Sequence, residues 1–60
     1  EISEYTIHRF IKERGGTTSK MEIYKALGGD AESRRSIDEK LRMMERYELI
    51  IIDEDKVRLR

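Results

Sequence analysis

The sequence contains no cysteine, no proline and no tryptophan, and only one histidine and one phenylalanine. Without cysteine there is no disulfide, and a single histidine cannot complete the usual structural zinc sets. No apolar run approaches the roughly 20 residues of a membrane span, and no secretory leader is visible. The expected location is therefore the cytoplasm. An excess of one charge is missing too: 13 Lys and Arg face 13 Asp and Glu. Proteins that live on nucleic-acid phosphate usually show a basic excess. Any such role here requires that the charges be segregated in space.

What is present is a short chain dense in charge. Of its 60 residues, 43% are charged and 37% hydrophobic. A chain this short makes one domain and buries only about 60% of the surface its unfolded form exposes. Aliphatic packing must supply the core. The charges alternate in sign, which suits solvated helix faces rather than disorder. Abundant Lys, Arg, Glu and Ile, without Cys or Pro, fits a thermophile-like composition. The chain opens on Glu1 rather than Met, so residues 1–60 read as a single domain excised from a longer chain.

Periodicity and punctuation order the elements. A first helix is expected from Ser3 to Arg14, with Ser3 as N-cap and Ile7, Phe10 and Ile11 on one face. Gly15 is placed as a left-handed cap. Thr17-Thr18 suggests a very short strand. Ser19-Lys20-Met21-Glu22 spells a capping box that opens a second helix, buried through Ile23, Tyr24 and Leu27. Gly28-Gly29 ends it, and positive φ is the expected reason for both glycine pairs. Asp30 caps a third helix, from about Ala31 to Tyr47, with an inner stripe of Ile37, Leu41 and Met44. Its outer face carries Arg35, Glu39, Arg42 and Arg46. A two-residue turn at Glu54-Asp55 would pair Ile52 with Val57 and Ile50 with Leu59 on one face of a hairpin. Ile51 and Arg58 would then point the other way.

The order helix, strand, helix, helix, strand, strand, with Ile37, Leu41 and Met44 leading into Glu48-Leu49-Ile50, resembles the winged helix-turn-helix superfamily. There a recognition helix spaced V-x3-L-x2-L runs into a G-L-I-type strand that opens the wing. The resemblance implies an α+β fold of three helices, a short strand and a C-terminal β-hairpin wing. Three departures stand out. The stretch from Leu27 to Ile37 is longer than usual, so either the turn is longer or the third helix starts earlier. Glu48 replaces the family's glycine. The hairpin tip reads Asp53-Glu54-Asp55, where DNA-touching wings carry Arg or Lys.

Enzymatic chemistry finds little footing. The clusters Asp38-Glu39 and Asp53-Glu54-Asp55 lack a pocket to shift their pKa values. His8 reads as a surface residue on an exposed flank. There is no Gly-rich phosphate loop, and Met21 reads as partly buried. No cofactor, metal or catalytic residue is expected.

The resemblance does imply a DNA-binding face. The third helix would enter the major groove of double-stranded DNA, presenting Ser33, Arg34, Arg35, Ser36, Lys40 and Arg42, with Met43 beside them. Thr17, Thr18, Ser19 and Lys20 could hold a phosphate through hydroxyls and free N–H groups. Lys56 and Arg58 are the wing's candidates. A transcription regulator or replication protein, acting as a homodimer or inside a larger chain, fits this reading. The bland alternative is that the helix-three cations form a salt-laced solvent face. A different functional class also stays open: a winged helix that binds a protein partner. Neutral charge, the acidic turn, Met43, outward Ile51 and the tyrosines favour it. A strand edge at Thr17-Thr18 or Val57-Leu59 would accept a partner strand.

Overall fold

The computed structural model describes residues 2–60. Its helices begin where side chains can satisfy their free N–H groups. Ser3 Oγ accepts from the Thr6 backbone N–H at 3.2 Å and starts α1, Glu4–Glu13. Ser19 Oγ accepts from Glu22 N–H at 3.1 Å and starts α2, Lys20–Leu27. Asp30 Oδ1 accepts from Ser33 N–H at 2.8 Å and starts α3, Ala31–Arg46. Each is the side-chain cap that such positions favour. Three strands complete the chain: β1, Thr17–Ser19; β2, Ile50–Asp53; β3, Lys56–Leu59. The order α-β-α-α-β-β is the one expected of a winged helix-turn-helix.

The long interval between Leu27 and Ile37 is resolved in favour of an early helix start. Only Gly28, Gly29 and Asp30 separate α2 from α3. Residues 31–36 of α3, a little under two helical turns, precede Ile37.

The sheet is antiparallel, with order β1-β3-β2. Ile50 lies opposite Leu59 and Ile52 opposite Val57, as the two-residue turn requires. Because β3 is central, the strand edges are β1 and β2, so Val57–Leu59 offers no edge to a partner. Period-two alternation turns Thr18, Val57, Ile50, Ile52 and Leu59 toward the helices. It turns Thr17, Arg58 and Ile51, aligned across the strands, to the outside.

Ile7 and Ile11 from α1, Ile23 from α2, and Ile37, Leu41 and Met44 from α3 meet Ile50 and Val57 in one core. All eight are essentially solvent-free. Burying each such side chain stabilises by roughly 1.5–3 kcal/mol, which is what lets so short a chain fold. Two flanking residues depart from the sequence reading. Met21 is 49% exposed rather than partly buried. His8 is half-buried rather than exposed.

Two helices end in the same motif with different residues. After α1, Gly15 N–H bonds Lys12 C=O at 3.0 Å and Gly16 N–H bonds Ile11 C=O at 2.9 Å. After α3, Glu48 N–H bonds Glu45 C=O at 3.0 Å and Leu49 N–H bonds Met44 C=O at 2.9 Å. Both are Schellman caps, which need a left-handed residue. Gly15 supplies it at φ 86°, Glu48 at φ 63°. Glu48 therefore adopts glycine's conformation without being glycine. Gly28 differs from expectation: its backbone is extended, at φ −132°. A Cβ there would lie 2.7 Å from Ile37 Cδ1, so the end of that buried side chain would have to shift. A Cβ on Gly29 would meet nothing within 4 Å.

Among the described residues no helix is long and apolar enough to cross a membrane.

Candidate nucleic-acid interface

At about 100° per residue, α3 presents two distinct flanks beside its buried stripe. One carries Arg34, Asp38, Arg42 and Glu45, with Arg35 at its outer margin. The other carries Ser36, Lys40 and Met43. The candidate residues of α3 thus spread over both flanks, with Arg42 bordering the hollows on either side.

The first flank borders α2 and the hairpin. The Tyr24 hydroxyl donates to Asp38 Oδ1, joining α2 to α3. The Arg34 guanidinium stacks over the Tyr24 ring, 5.4 Å from its centroid. Such stacking stabilises by roughly 0.5–1 kcal/mol at an exposed site. The bond to Asp38 pushes the Tyr24 hydroxyl up to about 12, helped by desolvation and the nearby Asp38 charge. Tyr24 therefore stays a proton donor at every physiological pH. Below this bridge Lys20, Tyr24, Asp38, Leu41, Arg42, Glu45 and Ile52 line an open groove of about 240 Å³. Lys20, Arg34, Arg35 and Arg42 place four cations on this side, against the carboxylates of Asp38, Glu45 and Asp55, whose charge also acts on Tyr24.

Ion pairing does not account for those cations. Among the described residues the only ion pair within 4.0 Å is Arg14–Glu22, at 3.0 Å. The arginines of α3 have no carboxylate partner at that range.

The second flank faces α1. Lys40 and Met43 share a broad surface hollow with Glu4 of α1. Ser36 is half-buried on the same side. Ser33 sits at the joint between α2 and α3, its Cβ against Gly28. These three polar candidates, Ser33, Ser36 and Lys40, lie away from the groove.

The phosphate hold expected at the start of α2 is largely taken up internally. Thr18 is buried, and its hydroxyl donates to Glu22 Oε1 at 2.7 Å. Ser19 Oγ is the helix cap, and the Lys20 N–H bonds Asp55 C=O at 2.8 Å. The Glu22 carboxylate stands at the same helix end, its pKa lowered by the Thr18 bond first, despite some desolvation, with Arg14 and the Ser19 N–H adding to the effect. A phosphate would have to compete with that carboxylate. Thr18 and Ser19 are structural here, while the Lys20 side chain still reaches the groove.

Lys56 and Arg58 project from the outer face of the sheet, with Arg58 between Thr17 and Ile51 and Lys56 between Ser19 and Asp53. They form a second, separate basic strip. The acidic turn, with Glu54 at φ 55°, closes the hairpin beyond them. Among the described residues no group of three or more His, Cys, Asp or Glu could hold a metal ion.

Tyr24, expected only on the buried face of α2, and Asp38, expected only as a surface acid without a pocket, are the groove residues that the sequence did not place in a binding role. The spacing Arg34, Arg35, Asp38, Arg42, Glu45 marks one helical stripe and would have included Asp38. Nothing local announces Tyr24, whose partner is distant in the chain. No protein-family model matches the chain, and no curated protein or solved structure does either.

Proposed function

We propose that this domain is a winged-helix module that binds duplex DNA, with α3 lying in the major groove and its Arg34, Arg35 and Arg42 flank turned to the duplex. The observation that carries this reading is the gathering of exposed arginines without carboxylate partners beside the Lys20 groove. Arg holds guanine O6 and N7 in a bidentate grip, or takes phosphate through the same fork. One module of this size buries little interface, so a homodimer or a larger transcription or replication protein of the cytoplasm is the fitting context. No catalytic role accompanies it.

The test is titration of random duplex DNA at two salt concentrations. Three or four phosphate contacts give a log–log salt slope of roughly −3. The double variant Arg35→Glu, Arg42→Glu should lose binding and keep its helical circular dichroism. Absence of binding at low salt refutes the reading.

A second reading, recognition of a protein partner, draws on exposed apolar side chains. Tyr5 is 71% exposed, Tyr47 66% and Met43 41%. Loss of partner binding on Met43→Asp, with DNA binding untouched, would favour it.

A further inference from the structure

We infer that Asp38, held in place by Tyr24, reads a cytosine in the major groove and makes this domain selective for a G·C pair at that position. The inference rests on the duplex-binding reading above and names the base that reading leaves open.

Asp38 joins α2 to α3 through one carboxylate oxygen and keeps the other among Arg34, Arg35 and Arg42. Against phosphate it is repulsive, and it lowers affinity for every sequence alike. It becomes favourable only opposite a donor. Of the four bases' major-groove edges, cytosine offers the N4 amino group alone, without an adjacent acceptor that would repel a carboxylate. Adenine also has an amino group, but with N7 as an acceptor beside it, which suits an amide better.

Geometry makes Asp38 a reader rather than a freely moving acid. Tyr24 occupies Oδ1, and no hydrogen bond within the described residues uses Oδ2. Arg34 stacks on the Tyr24 ring and limits its movement in turn. Leu41, fully buried a turn below, fixes the helix that carries Asp38. A side chain locked by its neighbours loses little freedom on binding and cannot swing aside to accommodate a wrong base. Tyr24 is thus a positioning residue and Asp38 the contact. The flanking Arg35 and Arg42 suit guanines on either side, so the favoured site mixes G and C.

The experiment is selection of bound duplexes from a randomised pool, with the intact chain, Asp38→Asn and Tyr24→Phe. Random-duplex titration runs alongside. The intact chain should enrich cytosine at one position by roughly tenfold or more. Asp38→Asn should switch that position to adenine, since an amide pairs N6 and N7, and should bind random duplex more tightly. Tyr24→Phe should keep cytosine but reduce the preference severalfold. If Asp38→Asn binds with an unchanged base profile, Asp38 is not the reader, while the duplex-binding reading stands. If Asp38→Asn does not fold, Tyr24→Phe decides: an unblurred cytosine preference overturns the inference. If the intact chain shows no salt-dependent duplex binding, both readings fall together.

Discussion

Thr18 and Glu22 are joined by a hydrogen bond of 2.7 Å, and the acceptor oxygen also takes the Arg14 guanidinium at 3.0 Å. One carboxylate so links the end of α1, strand β1 and the start of α2. Its pKa is lowered in the folded chain. The stability it contributes is therefore present above the pKa of the unfolded chain and lost as pH falls through the lowered folded value. Asp30, lowered mainly by the Ser33 backbone N–H, behaves the same way. Thermal melts from neutral to acid pH should show a declining midpoint below the usual carboxylate range. Glu22→Gln should flatten part of that decline and lower the neutral midpoint.

At the alkaline end the sign reverses. The Tyr24 bond to Asp38 needs the phenol proton, and the folded pKa is raised from 10.0 to about 12. Its contribution is complete below the ordinary tyrosine pKa and lost as pH rises through about 12. Ultraviolet titration of phenolate should place Tyr24 last in the wild-type chain. In Asp38→Asn it should move back toward 10, because the accepting charge is gone.

Gly28→Ala tests the contact between α2 and α3. The new methyl would sit 2.7 Å from Ile37 Cδ1, and Ile37 is fully enclosed by the core. Overpacking of this kind costs about 1–3 kcal/mol. The smaller entropic gain from removing a glycine, about 0.4–1 kcal/mol, does not offset it. A chain this small should lose roughly 4–8 °C of melting temperature per kcal/mol. Gly29→Ala, with nothing within 4 Å, is the matched control and should be tolerated.

Glu48→Gly should do the opposite. Glu48 holds φ 63°, where a side chain costs roughly 1–2 kcal/mol. Glycine removes that strain and gives back part of it through greater freedom when unfolded. A net gain of roughly 0.5–1 kcal/mol, seen as a melting point higher by a few degrees, is expected. No change would mean that the strain is relieved elsewhere.

How legible was all this in the sequence? Local rules placed the helices closely, because Ser3, Ser19 and Asp30 are strong caps and Ile37, Leu41 and Met44 hold a strict period. The hairpin register followed from alternation and the two-residue turn. What escaped was anything set by packing between elements. Gly28 looked like another left-handed cap, but its backbone is extended and what a side chain there would meet is Ile37, nine residues on. Thr18 looked like a free hydroxyl until β1 packed beside α2 and gave it Glu22. On α3 periodicity fixes the inner face and leaves the two flanks equivalent. Tyr24 broke that equivalence by reaching across to Asp38.

The bond from Lys20 N–H to Asp55 C=O, at 2.8 Å, ties the tip of the hairpin to the root of α2. Asp53, Glu54 and Asp55 consequently ride on a braced bracket rather than a waving arm. Their charge keeps a fixed bearing relative to the arginines of α3. In a chain whose total charge is zero, three carboxylates are thereby held at one fixed place, beside the root of α2.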